Sequence, residues 1–250
     1  MMKTDLIALE KLPLDGEAPD YAVVMLHGYG SNAEDLFSLS PLLQSFQPRL
    51  AIISVQAPEV LSWGSYSWFD LTEWHGAGSD VSLFGPRIAL TADCCAPWIL
   101  ARLQSMGVAL ERSFLLGFSQ GAMVSAELAL EHWPTIGGVF AFSGCLVRCP
   151  PRVDRLLADR VEIDWIHGES DEVVPFGMME HSLKPLRDRG WHPRVHRFPG
   201  MGHSIDRNAL AVAGRVLAGL PLVSRETGGV SGLDPARFGD WQHKGRVSDF

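Results

Sequence analysis

The sequence predicts an α/β fold, a mostly parallel central sheet with helices on both faces, and three observations point there. Apolar runs of five or six residues, long enough for buried strands, alternate along the chain with stretches of helical period. Several of these runs end directly in glycine-containing turns. At residues 112–133 a strand, a tight turn and a helix follow one another without a gap. The strand is Ser113 to Leu116, the turn Gly117-Phe118-Ser119-Gln120-Gly121, and the helix carries Met123, Val124, Leu128 and Leu130 at helical spacing.

With 250 residues, 46% of them apolar, the chain suits one large domain or a domain with an appendage. No apolar run approaches the roughly 20 residues of a membrane span, and MMKTDLIALEK has no basic segment followed by a long apolar one. The expectation is a soluble, cytoplasmic protein with no integral membrane segment. A formal net charge of −8 without a basic cluster argues against nucleic acid or an anionic membrane as a main partner. Cys94 and Cys95 are adjacent in an expected helix, and Cys145 and Cys149 form a lone C-x3-C. Neither a disulfide framework nor a zinc site follows from that spacing; no cofactor is expected.

In chain order, Tyr21–Leu26 (YAVVML) reads as a buried strand ending in His27-Gly28-Tyr29-Gly30. That loop can bring a backbone N–H to a ligand, and it can also start a helix capped by Ser31 or Asn32 with Glu34 and Asp35 in its first turn. Residues 49–55 (RLAIISV) form the next strand. Residues 57–85 follow, holding Trp63, Tyr66, Trp68, Phe69, Leu71, Trp74, Leu83 and Phe84 with no clear period. A long irregular segment this aromatic reads as the wall of a substrate groove, with core cover as the competing reading. Residues 86–104 read as a helix started by Pro86 and kinked at Pro97.

After the strand-turn-helix elbow at 112–133, residues 137–143 and 161–167 read as two more strands separated by fewer than twenty residues, too few for a large cap domain. The second runs into a loop carrying Asp171. Residues 176–190 read as a helix, 192–198 as an edge-like strand, and Pro199-Gly200-Met201-Gly202-His203-Ser204 as a loop presenting a histidine. Residues 205–220 close the domain as an amphipathic helix.

A serine hydroxyl becomes a nucleophile only when a base takes its proton, and a histidine base needs an acid to fix its tautomer and stabilise the imidazolium. Ser119, Asp171 and His203 each follow an expected strand, in the order nucleophile, acid, base. The helix beginning after Ser119 turns its free N–H groups toward any anion forming there. Tyr29 and Gln120 are the expected backbone N–H donors to such an oxyanion. Of the rival acids, Asp164 lies within a strand and Glu169 is expected to face solvent. His27 and His167, preceding glycines at strand ends, read as structural.

These residues resemble the carboxylesterase and acyl-protein thioesterase (lysophospholipase-like) branch of the α/β hydrolases. The matching pieces are Leu26 to Gly30 with Ser31 to Leu36, Trp68-Phe69-Asp70, Gly117 to Gly121, His167 to Asp171 with Val174-Pro175, and Gly202-His203. The resemblance spans about 20–220 and implies a metal-free serine esterase acting on small-molecule or lipid-like carboxylic esters or acyl thioesters. The acyl chain would be bound by the aromatic loop, with Trp63, Trp68, Phe69 and Leu71 as expected substrate contacts.

From Gly228 the composition turns rich in glycine and charge, which cannot order a core of its own. The expected division is therefore a domain at 1–221 and a flexible tail at 222–250. The tail resembles the C-terminal signature of the succinate dehydrogenase assembly factor that chaperones the flavoprotein subunit, through Gly228, Gly229, Gly232, Pro235, Arg237, Gly239, Asp240, Trp241, Lys244, Gly245, Arg246, Ser248, Asp249 and Phe250. Prolines expected at Val230 and Leu233 are missing, and Phe238 replaces a tyrosine. That resemblance implies binding of the flavoprotein subunit through 228–250. Two classes of function follow: a serine hydrolase with an added binding tail, or a non-catalytic assembly protein on a hydrolase scaffold.

Overall fold

A computed structural model describes residues 6–62, 64–74, 80–149, 161–222, 242–243 and 246–247. In chain order the strands are β1 Ala8–Lys11, β2 Tyr21–Leu26, β3 Leu50–Val55, β4 Glu59–Ser62, β5 Ser65–Ser67, β6 Ser113–Phe118, β7 Gly138–Phe142, β8 Ile163–Gly168 and β9 Arg194–Phe198. The helices are α1 Ala33–Phe37, α2 Ser40–Phe46, α3 Gly85–Ser105, α4 Gln120–Glu127, α5 Phe176–Ser182, α6 Lys184–Arg187 and α7 Arg207–Ala218. Among the described residues, seven strands form the main sheet in the order β1-β3-β2-β6-β7-β8-β9. Only β1 runs antiparallel to its neighbour, pairing Ala8 with Val55, and the others are parallel.

Strand β2 shows why these runs are apolar throughout. Ala22, Val24 and Leu26 face a core shared with Ile88, Ala92 and Ile99 of α3 and with Val124 of α4. Tyr21, Val23 and Met25 face a second core with Leu36, Leu43, Leu210 and Leu217. A strand covered by helices on both faces has no solvent side, so period-two alternation disappears. At the exposed edge, β9 carries Arg194, His196 and Arg197, charges that discourage pairing with another chain.

The sheet order reverses between β2 and β6, which lie side by side although the chain passes through β3 between them. Such a switch opens a crevice beyond the strand C-termini. The loops after β2 and β6 both emerge there.

Several local features depart from the sequence reading. The segment 57–85 contains the β4–β5 hairpin and a 3₁₀ turn at Val81–Phe84. Strand β1, with every residue half-buried, has no counterpart in the reading, because four residues of weak pattern carry little signal. The helix expected over 176–190 is two helices, α5 and α6, the second with a proline in its first turn. The helix expected over 86–104 is present as α3, with Pro86 in its first turn and Pro97 inside it. No helix among the described residues is long and apolar enough to cross a membrane. Of the tail, Gln242–His243 and Arg246–Val247 pair antiparallel; the rest of 228–250 lies outside the described residues.

Candidate active site

Ser119 sits between β6 and α4 with φ 54° and ψ −116°, left-handed backbone that a non-glycine residue adopts only under constraint. Its N–H is tied to the Phe142 carbonyl of β7 at 2.8 Å, and its own carbonyl accepts the first bonds of α4 from Ala122 and Met123. Gly121 shows how tightly the elbow is seated: a Cβ there would lie 1.9 Å from the Leu26 carbonyl oxygen. Only glycine allows α4 to start that close to the end of β2.

Asp171 follows β8 with its side chain closed to solvent. Its Oδ1 accepts the N–H groups of Val173 and Val174, both at 2.9 Å, and its Oδ2 lies 2.9 Å from His203 Nδ1. The Nε2 of His167 stands 3.3 Å from the same Oδ2 and 2.8 Å from the Val174 carbonyl. That carbonyl can only accept, so His167 carries its proton on Nε2. Burial pushes the Asp171 carboxyl up, but hydrogen bonds from His167, His203 and the Val174 N–H outweigh it and hold the group well below the usual carboxylate range. An ionised acceptor at Nδ1 fixes the His203 tautomer with Nε2 free to take a proton.

The loops holding the acid and the histidine are stitched together. Glu169 N–H donates to Phe198 O, Ser170 N–H to Met201 O, and a Cβ on Gly168 would strike Met201 O at 2.1 Å. Phe118 lies against His203 with ring centroids 4.9 Å apart. Ser119 and His203 line one cleft of about 500 Å³ with Gly28, Tyr29, Leu71, Trp74, Met123 and Val173. Among the described residues Ser119 Oγ has no hydrogen-bond partner. The N–H groups of Tyr29 and Gln120 likewise make none of the loop, turn or cap bonds. Asp164 is engaged by Arg194 and His196 on β9, and Glu169 by Arg197.

The aromatic loop divides differently from the expected groove wall. Leu71 lines the cleft, but Trp68 and Phe69 are 1% and 2% exposed and belong to the core. The Trp68 indole N–H donates to the His27 carbonyl, and the backbone of Trp68 and Phe69 is bonded to Gln120 of α4 and Thr91 of α3. Trp63 lies outside the described residues. Trp74, part of the aromatic segment read as a groove wall but not one of the expected substrate contacts, also lines the cleft, as do Met123 and Val173, which the sequence reading does not single out as cleft residues. Met123 could have been found four residues beyond Ser119, one helical turn into α4, whereas Val173 follows the acid in a loop with no periodic signal. The expected Asn32 cap is present, accepting from the Glu34 and Asp35 N–H groups. All four cysteines are free, and no three metal-ligating side chains cluster among the described residues.

The mostly parallel sheet, the strained serine turn and the loops at the strand ends define an α/β hydrolase. The profile of the phospholipase/carboxylesterase family matches residues 14–218, and the chain belongs to that family. A probable carboxylesterase of Oryza sativa subsp. japonica is 33% identical over 106 residues, 42% of this chain and 40% of that protein. Acyl-protein thioesterase 1 of Eremothecium gossypii is 26% identical over 207 residues, 76% of this chain and 83% of that protein. A probable inactive carboxylesterase of the same rice is 28% identical over 194 residues, 74% of this chain and 78% of that one. The crystal structure of esterase PE8 superposes with a TM-score of 0.70 at 28% identity, covering 85% of this chain and 97% of that one. Residues 220–250 match a second family described as a protein of unknown function. A stretch of 26 residues is 69% identical to a UPF0369 protein of Rickettsia felis, 10% of this chain and 33% of that protein.

Proposed function

We propose that the chain is a serine hydrolase that cleaves carboxylic esters or acyl thioesters through an acyl-enzyme. Ser119 Oγ attacks the acyl carbonyl carbon while His203 Nε2 takes the hydroxyl proton, and Asp171 stabilises the imidazolium that forms. The carbonyl electron pair moves onto oxygen, where the Tyr29 and Gln120 N–H groups receive it. Collapse breaks the bond to the alcohol or thiol, which leaves with the proton from His203. Water then repeats the sequence on the acyl-serine, and the carboxylic acid is released. The observation that carries this reading is the Asp171–His203 contact on the same cleft as a serine in left-handed backbone. A series of p-nitrophenyl esters tests it: wild type should hydrolyse the series and Ser119→Ala should retain only a trace. Equal rates in the two proteins would refute it, and rates equal to the uncatalysed background would favour the non-catalytic scaffold, a reading that the relative named as a probable inactive carboxylesterase keeps in view.

We also propose that residues 222–250 are a separate tail beside a domain at 1–221, and that the tail binds the flavoprotein subunit of succinate dehydrogenase. The support is the resemblance of residues 228–250, with its glycines and the Arg246 to Phe250 ending. Deleting 222–250 should abolish co-purification with that subunit and leave ester hydrolysis intact. Unchanged co-purification would remove the binding role.

A further inference from the structure

Two backbone N–H groups can stabilise one oxyanion only if their separation is held to a fraction of an ångström, yet Tyr29 lies in the loop after β2 and Gln120 in the first turn of α4. The structure assigns the task of holding them to the segment Ser65–Phe69, with the Trp68 indole and the Gln120 side chain as positioning residues. The assignment rests on Tyr29 and Gln120 being the oxyanion donors.

One half of this splint grips the loop after β2. Trp68 Nε1–H donates to the His27 carbonyl at 2.7 Å, just before Gly28 and Tyr29. On the far side of Tyr29, Gly30 N–H donates to Tyr66 O and Tyr66 N–H to Ser31 O, both at 2.9 Å. Ser65 Oγ–H adds a bond to Gly30 O at 2.9 Å. Tyr29 is thus pinned from both sides by a stretch of four residues.

The other half grips the elbow. The Gln120 side chain is fully buried, accepts the Trp68 N–H at Oε1 (2.9 Å) and donates from Nε2 to the Phe69 carbonyl (2.6 Å). A side-chain amide can copy the donor and acceptor of a peptide, so Gln120 pairs with Trp68-Phe69 as a neighbouring strand would. Thr91 Oγ1–H of α3 anchors the splint itself at the Trp68 carbonyl, 2.9 Å away. His27 is locked independently: its Nε2 accepts the Ala57 N–H at 3.1 Å and its Nδ1–H faces the Gly28 carbonyl at 2.8 Å. Burial lowers the His27 pKa despite that carbonyl, in keeping with a neutral ring. The segment 65–69 therefore bridges both donors, and an apolar replacement at Trp68 or Gln120 cuts one arm of the bridge.

The test is steady-state kinetics of Trp68→Phe and Gln120→Met, with rates expressed per active site titrated to completion by a fluorophosphonate. Each variant should lose about tenfold to a hundredfold in kcat, with KM within about twofold of wild type. Affinity for an alkyl trifluoromethyl ketone, whose adduct oxygen occupies the oxyanion position, should fall by the same factor, and affinity for the product carboxylic acid should not. If Trp68→Phe does not fold, Ser65→Ala removes only an exposed hydroxyl and should lower kcat about threefold, the worth of one modest hydrogen bond. Undiminished kcat per titrated site, or ketone and acid affinities falling together, would overturn the splint. A wild type without esterase activity would refute the oxyanion assignment instead, so the two failures are distinguishable.

Discussion

His203 Nδ1 lies 2.9 Å from Oδ2 of Asp171, a carboxylate closed to solvent that takes four polar contacts. Because the folded state holds the Asp171 pKa below its unfolded value, the native protein binds fewer protons there than the unfolded chain. The resulting stabilisation is complete above about pH 4, the unfolded carboxyl value, and fades as pH falls toward the folded one. Asp171→Asn should therefore be less stable than wild type at pH 7, with the gap closing below about pH 4. Urea denaturation at a series of pH values checks this. The same variant should lose about a thousandfold or more in kcat, since an amide no longer fixes the base as a carboxylate does.

Two glycines make a matched pair. A Cβ on Gly121 would press into the backbone of Leu26 and His27, neither of which can yield, whereas one on Gly177 in α5 meets nothing within 4 Å. Gly121→Ala should cost about 3 kcal/mol or more. Gly177→Ala should gain about 0.5–1 kcal/mol by reducing chain freedom in the unfolded state. Denaturant midpoints measured side by side decide both.

The cleft wall sets a chain-length prediction. Leu71, Trp74, Met123 and Val173 are apolar, and Trp74 packs against Phe84 with centroids 5.6 Å apart. Trp74→Ala should lower kcat/KM for an octanoyl ester about tenfold while an acetyl ester changes less than about twofold, because each methylene removed from water contributes about 0.8 kcal/mol. Equal losses on both esters would place the acyl chain elsewhere.

How much of this could be read from residues alone follows from where each signal is stored. Tyr21–Leu26 and Leu50–Val55 were legible because parallel strands buried on both faces leave continuous apolar runs. The loops bearing Ser119, Asp171 and His203 were legible because strand ends and glycine turns mark them. The hairpin Glu59–Ser62 with Ser65–Ser67 was not: β4 is exposed throughout, and the hairpin is held by the Ser31–Tyr66 bridge, a long-range contact. Trp68 and Phe69 announced burial or a groove by composition, and only the bonds to His27 and Gln120 place them inside.

The site of covalent labelling tests most directly whether Ser119 is the nucleophile. After reaction with a fluorophosphonate, peptide mass analysis should find one adduct per chain, on Ser119, and none in Ser119→Ala. An adduct on another residue, or labelling undiminished in Ser119→Ala, would contradict a Ser119 nucleophile.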